Sequence, residues 1–215
     1  EEFALASHQN AAQARDTGAF DDEIVAIETE LGVISTDGCI RADTNLDMMA
    51  SLRPAFTDDG VVTAATSSPL TDGAAFVVVT SEEFAEERNL TPLARIVSTA
   101  VAGVPPEIMG IGPVPATRKA LERAGLTLED MDVIELNEAF SSQAIAVIDE
   151  LGINQNRLNI DGGAIAIGHP LGASGARITG KAASLLNREG GRYALATMCI
   201  GGGMGIATVL SSIDS

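Results

Sequence analysis

A layered α/β fold is what this sequence predicts, on three observations. From Pro92 onward, short runs of aliphatic and β-branched residues alternate with segments of helical period. The C-terminal end carries two such runs around Gly201-Gly202-Gly203-Met204-Gly205, as paired strands should. The composition is small and aliphatic, 46% hydrophobic with 22 Gly, one Tyr and no Trp, which suits closely packed layers. At 215 residues the chain is long enough for one substantial core or two small ones.

The elements follow in order. Residues 1–17 read as a helix closed by Gly18, although Glu1-Glu2-Phe3 offers neither an initiator Met nor an N-cap. That opening reads as the inside of a helix, which implies a cut chain. Residues 19–69, rich in Asp, Thr, Ser and Gly, are irregular. The apolar run 73–80 is a strand with no evident partner in this chain, and a short acidic helix covers 82–88. A strand at 94–102 precedes a helix at 113–124, with Pro at its start and Gly125 just past its end. Residues 133–136 read as a strand, 140–151 as a helix ending at Gly152, and 159–161 as another strand. A small-residue helix covers about 172–187, and strands at 193–199 and 206–210 complete the chain.

Thirteen basic against thirty acidic residues leave a net charge of −17, which disfavours nucleic acid and anionic membranes as partners. No apolar run is long enough to span a bilayer. Cys39 and Cys199 form no CxxC pair and are expected as free thiols in a reducing, cytoplasmic setting. Two His and two Cys without a ligand pair argue against zinc. Gly175–Ala182 nearly spells a phosphate-binding loop, but Ala replaces its Ser/Thr and the stretch lies inside a predicted helix.

Three loops lie where open α/β sheets bind ligands, at the carboxyl ends of strands. They are Asn137-Glu138-Ala139-Phe140, the glycine-rich stretch 162–177 with His169, and 199–205 with Cys199. Taken from spacing alone, an Asn, a His and a Cys so placed are either an acid–base constellation or three structural residues. The glycines of 201–205, lacking a following helix, suit close backbone approach or an oxyanion hole. Cys39 reads as structural.

These blocks, NEAF at 137–140, GGAIAIGHPLGASGAR at 162–177 and CIGGGMG at 199–205, resemble the three C-terminal signatures of thiolases, in the family's order. FALASHQNAA, GAFDDEI, LRPAF, SPLTDGAA and IMGIGPVPATRKALERAGL extend the likeness over essentially the whole chain. The related ketoacyl synthases place a second His where this chain has Asn137 and have no Cys matching Cys199. The resemblance implies a layered αβα fold of two similar halves with a loop domain inserted in the first. Residues 1–69 would be the remainder of that loop domain, 70–91 the last strand and helix of the first half, and 92–215 the complete second half.

The resemblance also implies acyl transfer through a cysteine thioester, either cleaving 3-oxoacyl-CoA or condensing two acetyl-CoA. Coenzyme A is then a substrate and no cofactor is needed. His169 becomes the base for the nucleophile and Cys199 the second acid/base, a task that suits a thiol because its pKa can be moved close to neutral. Asn137 holds an oxyanion-hole water, and the Gly201 N–H contributes to a second hole. Ser68 touches the pantetheine arm, while Phe56, Met109 and Phe140 line the pocket. CoA is itself a polyanion, so an acidic chain must hold its phosphates through local basic groups or backbone N–H. The nucleophilic Cys of the family lies upstream of Glu1, so the isolated chain is expected to be inert, and the full-length protein to be a homodimer or tetramer. The alternative is a non-catalytic CoA- or acyl-binding module, or a partner for a separate N-terminal subunit. The intact Asn–His–Cys set argues against it.

Overall fold

A computed structural model describes residues 1–213. Helix α1 (Glu2–Asp16) has no side-chain N-cap and ends at Thr17, with Gly18 turning left-handed behind it. The stretch expected to be irregular contains a small hairpin, β1 (Ile27–Thr29) and β2 (Gly32–Ile34), and a one-turn helix α2 (Leu46–Ala50) capped by Asn45. Helix α3 (Glu82–Glu87) starts at Ser81, whose hydroxyl accepts the Phe84 N–H. Strand β3 (Arg95–Gly103) precedes α4 (Pro113–Ala124), which Gly125 stops in the left-handed conformation. Then come β4 (Val133–Leu136), α5 (Ser141–Leu151), α6 (Ala164–Ile167), α7 (Leu171–Glu189), β5 (Tyr193–Ile200) and β6 (Met204–Ser211).

Two of these expectations need correction. Residues 73–80 form no strand, because no described segment pairs with them. They run extended beside α7: a Cβ at Gly73 would meet the Pro170 ring, and one at Gly180 would sit 3.2 Å from Val77. Phe76 and Val78 are 92% and 85% exposed. Residues 159–161 are not a strand either. Leu158 makes one bridge to Ile134, and Asn159 then turns to φ 44°. Its side chain takes over the pairing, Oδ1 accepting the Leu136 N–H at 2.9 Å and Nδ2 donating to the Leu136 carbonyl at 2.8 Å.

The chain divides into two units. One comprises Asp72–Asn137, Gln143–Asn159 and Pro170–Ser215, and holds a mixed sheet in the order β3–β6–β5–β4. β4 runs parallel to β5, and β6 is antiparallel to both β5 and β3. Consequently β3, β4 and β5 all end at the same edge. Both faces are covered. Thr197 of β5 meets Thr117 of α4, their hydroxyls 3.3 Å apart, whereas Met198 lies beside Gly175 of α7. Successive strand residues point to opposite faces, so α4 and α7 flank the sheet. That double cover explains the apolar run of β5, in which Ala194, Leu195, Ala196 and Thr197 are all buried.

The other unit comprises Glu1–Thr71, Glu138–Ser142 and Ile160–His169. Its small core places Ala4 of α1, Met49 of α2 and Ile165 of α6 together, with Phe3, Leu5 and Ala65 packed around them. Alanines 4, 11, 12 and 14 are buried on α1, and the short side chains bring α6 close to its axis.

Candidate active site

Within the sheet unit, the sites predicted at the carboxyl edge are where the strand directions put them. Asn137 directly follows β4, is 1% exposed, and donates its backbone N–H to the Thr197 carbonyl of β5 at 3.0 Å. Asn159 holds the preceding residue, Leu136, through both backbone groups. Cys199 lies two residues further along β5, opposite Gly205 of β6, and is buried. Its register is fixed from below, because the Thr197 hydroxyl donates to the Ile206 carbonyl at 2.8 Å. Burial pushes the Cys199 thiol above its ordinary pKa. The apolar surroundings of β5 penalise a thiolate, and within this unit the residue is held as a thiol.

The glycines after Cys199 divide into two kinds. A Cβ on Gly205 would overlap the backbone of Gly112, and Gly203, at φ 94°, passes against Val104 and Pro106. These two let the β5–β6 turn and the turn 106–112 approach backbone to backbone. A Cβ on Gly201 would meet nothing within 4 Å, and that residue is exposed. Gly201 therefore leaves open space above its backbone. Met109 lies half-buried in the 3-10 turn Pro106–Ile111 that follows β3.

His169, Ser68, Phe56 and Phe140 belong to the other unit. The Ser68 N–H and hydroxyl both point to the Ala139 carbonyl, at 3.0 and 3.2 Å, and Ser67 bridges to Phe140. Phe56 meets Phe140 edge to face with ring centroids 6.2 Å apart. The structure thus brings Phe56, Ser68 and Phe140 together. His169 follows Gly168 at the end of α6 and is half-buried. Cys39 lies in this unit too, on the loop before α2.

Residues 90–212 match the family of the thiolase C-terminal domain, and residues 1–83 that of the thiolase N-terminal domain. The chain belongs to the thiolase family. It is 50% identical over 218 residues to the 3-oxoadipyl-CoA/3-oxo-5,6-dehydrosuberyl-CoA thiolase of Escherichia coli K12, covering 98% of this chain and 54% of that protein. It is 51% identical over 215 residues to the acetyl-CoA acetyltransferase of Shinella zoogloeoides, covering 98% and 55%. Among solved structures, the Bacillus anthracis acetyl-CoA acetyltransferase superposes with a TM-score of 0.95 at 46% identity, over 99% of this chain and 55% of that one. Human mitochondrial 3-ketoacyl-CoA thiolase in complex with CoA gives 0.93 at 46%, over 98% and 53%. This thiolase chain therefore spans a little over half the length of the curated relatives it matches.

Three buried residues that fix the local backbone, one in the sheet unit and two in the other, were not singled out in the sequence. Asn159 is one. The others are Glu138, 1% exposed, and Ser7, 4% exposed, which donates its hydroxyl to Glu138 Oε2 at 2.7 Å. A buried carboxylate inside a motif is a visible signal in retrospect, but Ser7 lies 131 positions away and carries none. Among the described residues, no group of three or more His, Cys, Asp or Glu could hold a metal ion, and no helix is long and apolar enough to cross a membrane.

Proposed function

We propose that this chain is the carboxyl-terminal part of an acyltransferase that cleaves 3-oxoacyl-CoA with CoA, or condenses two acetyl-CoA, through a cysteine thioester. The observation that carries the reading is the convergence of Asn137, Cys199 and Gly201 on one edge of the sheet. Asn137 directly follows β4, Cys199 lies on the adjacent parallel strand β5, and Gly201 opens the turn beyond. Relatives named as thiolases and acetyl-CoA acetyltransferases support it. Residues 1–69 would be the remainder of the loop domain, 70–91 the end of the first half and 92–215 the second half.

In the cleavage direction, the thiolate of a cysteine supplied by the upstream part of the enzyme attacks the 3-oxo carbon, and His169 has taken its proton. The bond between C2 and C3 breaks, and its electron pair leaves on the acetyl-CoA carbanion. Cys199 donates its proton there. A thiol whose pKa is raised by burial is loaded for that donation at neutral pH, which favours the acid role. Asn137 orients a water against the thioester enolate oxygen, and the Gly201 N–H faces the oxyanion at the reacting carbonyl. A second CoA thiol then collects the acyl group, with His169 again as base. The resemblance assigns Ser68, Phe56 and Phe140 of one unit, and Met109 of the other, to the approach for the thioester. Neither cysteine of this chain replaces the nucleophile, because Cys199 occupies the acid position and Cys39 lies in the loop unit.

Mass spectrometry of the full-length enzyme after incubation with acetyl-CoA tests the reading. An acetyl adduct on a cysteine upstream of this chain is the expected result. An adduct on Cys199, or none at all, would overturn it.

A further inference from the structure

We propose that Glu138 is the positioning residue for His169, a role that rests on the acyl-transfer reading above. Two donors converge on its Oε2, the Ser7 hydroxyl at 2.7 Å and the Ile165 N–H at 3.1 Å. The Ser7 oxygen in turn accepts the Gly163 N–H at 3.0 Å. Together the two side chains take up amides at the start of α6, whose N-cap is Gly163. A buried carboxylate is costly unless its oxygens are hydrogen-bonded, so the cluster holds one geometry strongly.

Space reinforces the bond pattern. A Cβ on Gly163 would overlap the Glu138 carboxylate, so the backbone lies directly against it. A Cβ on Gly162 would sit 2.6 Å from both the Ala11 side chain and the Ser7 carbonyl. α6 is thus pinned between α1 and Glu138 at its first residues. It is a single turn, closed by the Gly168 N–H on the Ala164 carbonyl at 2.9 Å, and His169 is the next residue. One helical turn leaves little slack between the anchor and the imidazole. Glu138 also follows Asn137 in the chain, so one carboxylate ties the backbone of the Asn motif to the His loop.

The test uses the full-length enzyme that carries this chain, with Glu138→Ala, Glu138→Gln and Ser7→Ala. The readouts are kcat, KM and the titration of the His169 imidazole by ¹⁵N NMR, its resonance assigned by loss in His169→Gln. Glu138→Ala should lower kcat by about 10- to 100-fold with KM for acyl-CoA nearly constant, the scale on which misplacing a catalytic group costs rate. It should also move the His169 midpoint. Glu138→Gln should keep kcat within about threefold, because its amide oxygen can accept the same two bonds. Should the Ala variant not fold, Ser7→Ala frees the Gly163 tie and should give the same signature more weakly.

Wild-type kcat and an unmoved His169 midpoint in the Ala variant overturn the proposal. So does equal loss in the Ala and Gln variants with an unmoved midpoint, which marks a clamp for the fold alone. A moved midpoint in an enzyme that transfers no acyl group keeps Glu138 as the positioning residue and sinks the acyl-transfer reading instead.

Discussion

The acyl-transfer reading gives His169 and Cys199, one in each unit, opposite protonic roles. His169 is half-buried and follows a pinned helical turn, while Cys199 is buried in β5 with its thiol pKa raised. His169→Ala in the full-length enzyme should lower turnover by about 10²–10⁴, the usual scale for a lost general base. A loss below about tenfold with unchanged circular dichroism would falsify that role. Cys199→Ala should still accept an acetyl group from acetyl-CoA but neither make nor break the carbon–carbon bond, and mass spectrometry of the adduct separates the two steps. His8 offers a prediction on stability. It is buried on α1, its Nδ1 accepts the Arg41 N–H at 3.2 Å, and burial, with the Arg41 charge second, lowers its pKa from 6.5. The folded chain therefore binds this proton more weakly than the unfolded chain. The His8 contribution is whole above pH 6.5 and declines as pH falls through 6.5 toward the lower folded value. His8→Gln should flatten that acid slope, measured as the urea midpoint at about pH 7.5 and about pH 5.5.

The carboxyl end of β4 depends on a side chain that imitates a strand. Asn159 supplies one donor and one acceptor to Leu136, and its backbone N–H donates to the Ile134 carbonyl at 2.9 Å. Asn159→Ala removes the side-chain pair and leaves two buried backbone groups of Leu136 unmet, which should cost about 1–3 kcal/mol in urea unfolding. It also places an alanine at φ 44°, where L residues other than Asn and Gly are strained. Asn159→Gly should therefore be the milder variant, since it loses the same bonds without the backbone strain. Equal destabilisation of the two would show that the φ contributes nothing. Because Asn137 follows Leu136 directly, both variants should also slow turnover.

For the molecule as a whole, the decisive surface is the extended run beside α7. Phe76, Val77, Val78 and Val79 are all exposed, and no described strand pairs with them. Contiguous apolar surface of several hundred Å² is uncommon on a soluble monomer. The isolated chain should accordingly self-associate at micromolar concentration, seen by sedimentation velocity, and Phe76→Lys with Val78→Lys should reduce it. A monodisperse wild-type monomer would contradict the packing argument. A 3-oxoacyl-CoA cleavage assay on the same material should show no turnover.

The elements from Pro92 onward were legible in the sequence wherever local signals agreed. Pro113 and Gly125 bracket α4, and the β-branched and aliphatic runs of β3, β4, β5 and β6 carry their own period. The motifs with Asn137, His169 and Cys199 are local patterns in the sequence, but only Asn137 and Cys199 lie at strand ends, whereas His169, expected after a strand, follows α6. Tertiary structure decided what depends on a distant partner. Residues 73–80 have the composition of a strand, yet a strand exists only when another segment takes its hydrogen bonds. The apolar surroundings of β5 raise the Cys199 thiol, which no reading of Cys-Ile-Gly-Gly could indicate. Ser7 and Glu138 meet across 131 residues of chain because α1 and α6 pack through alanine and glycine, a closeness set by the fold and absent from either local segment.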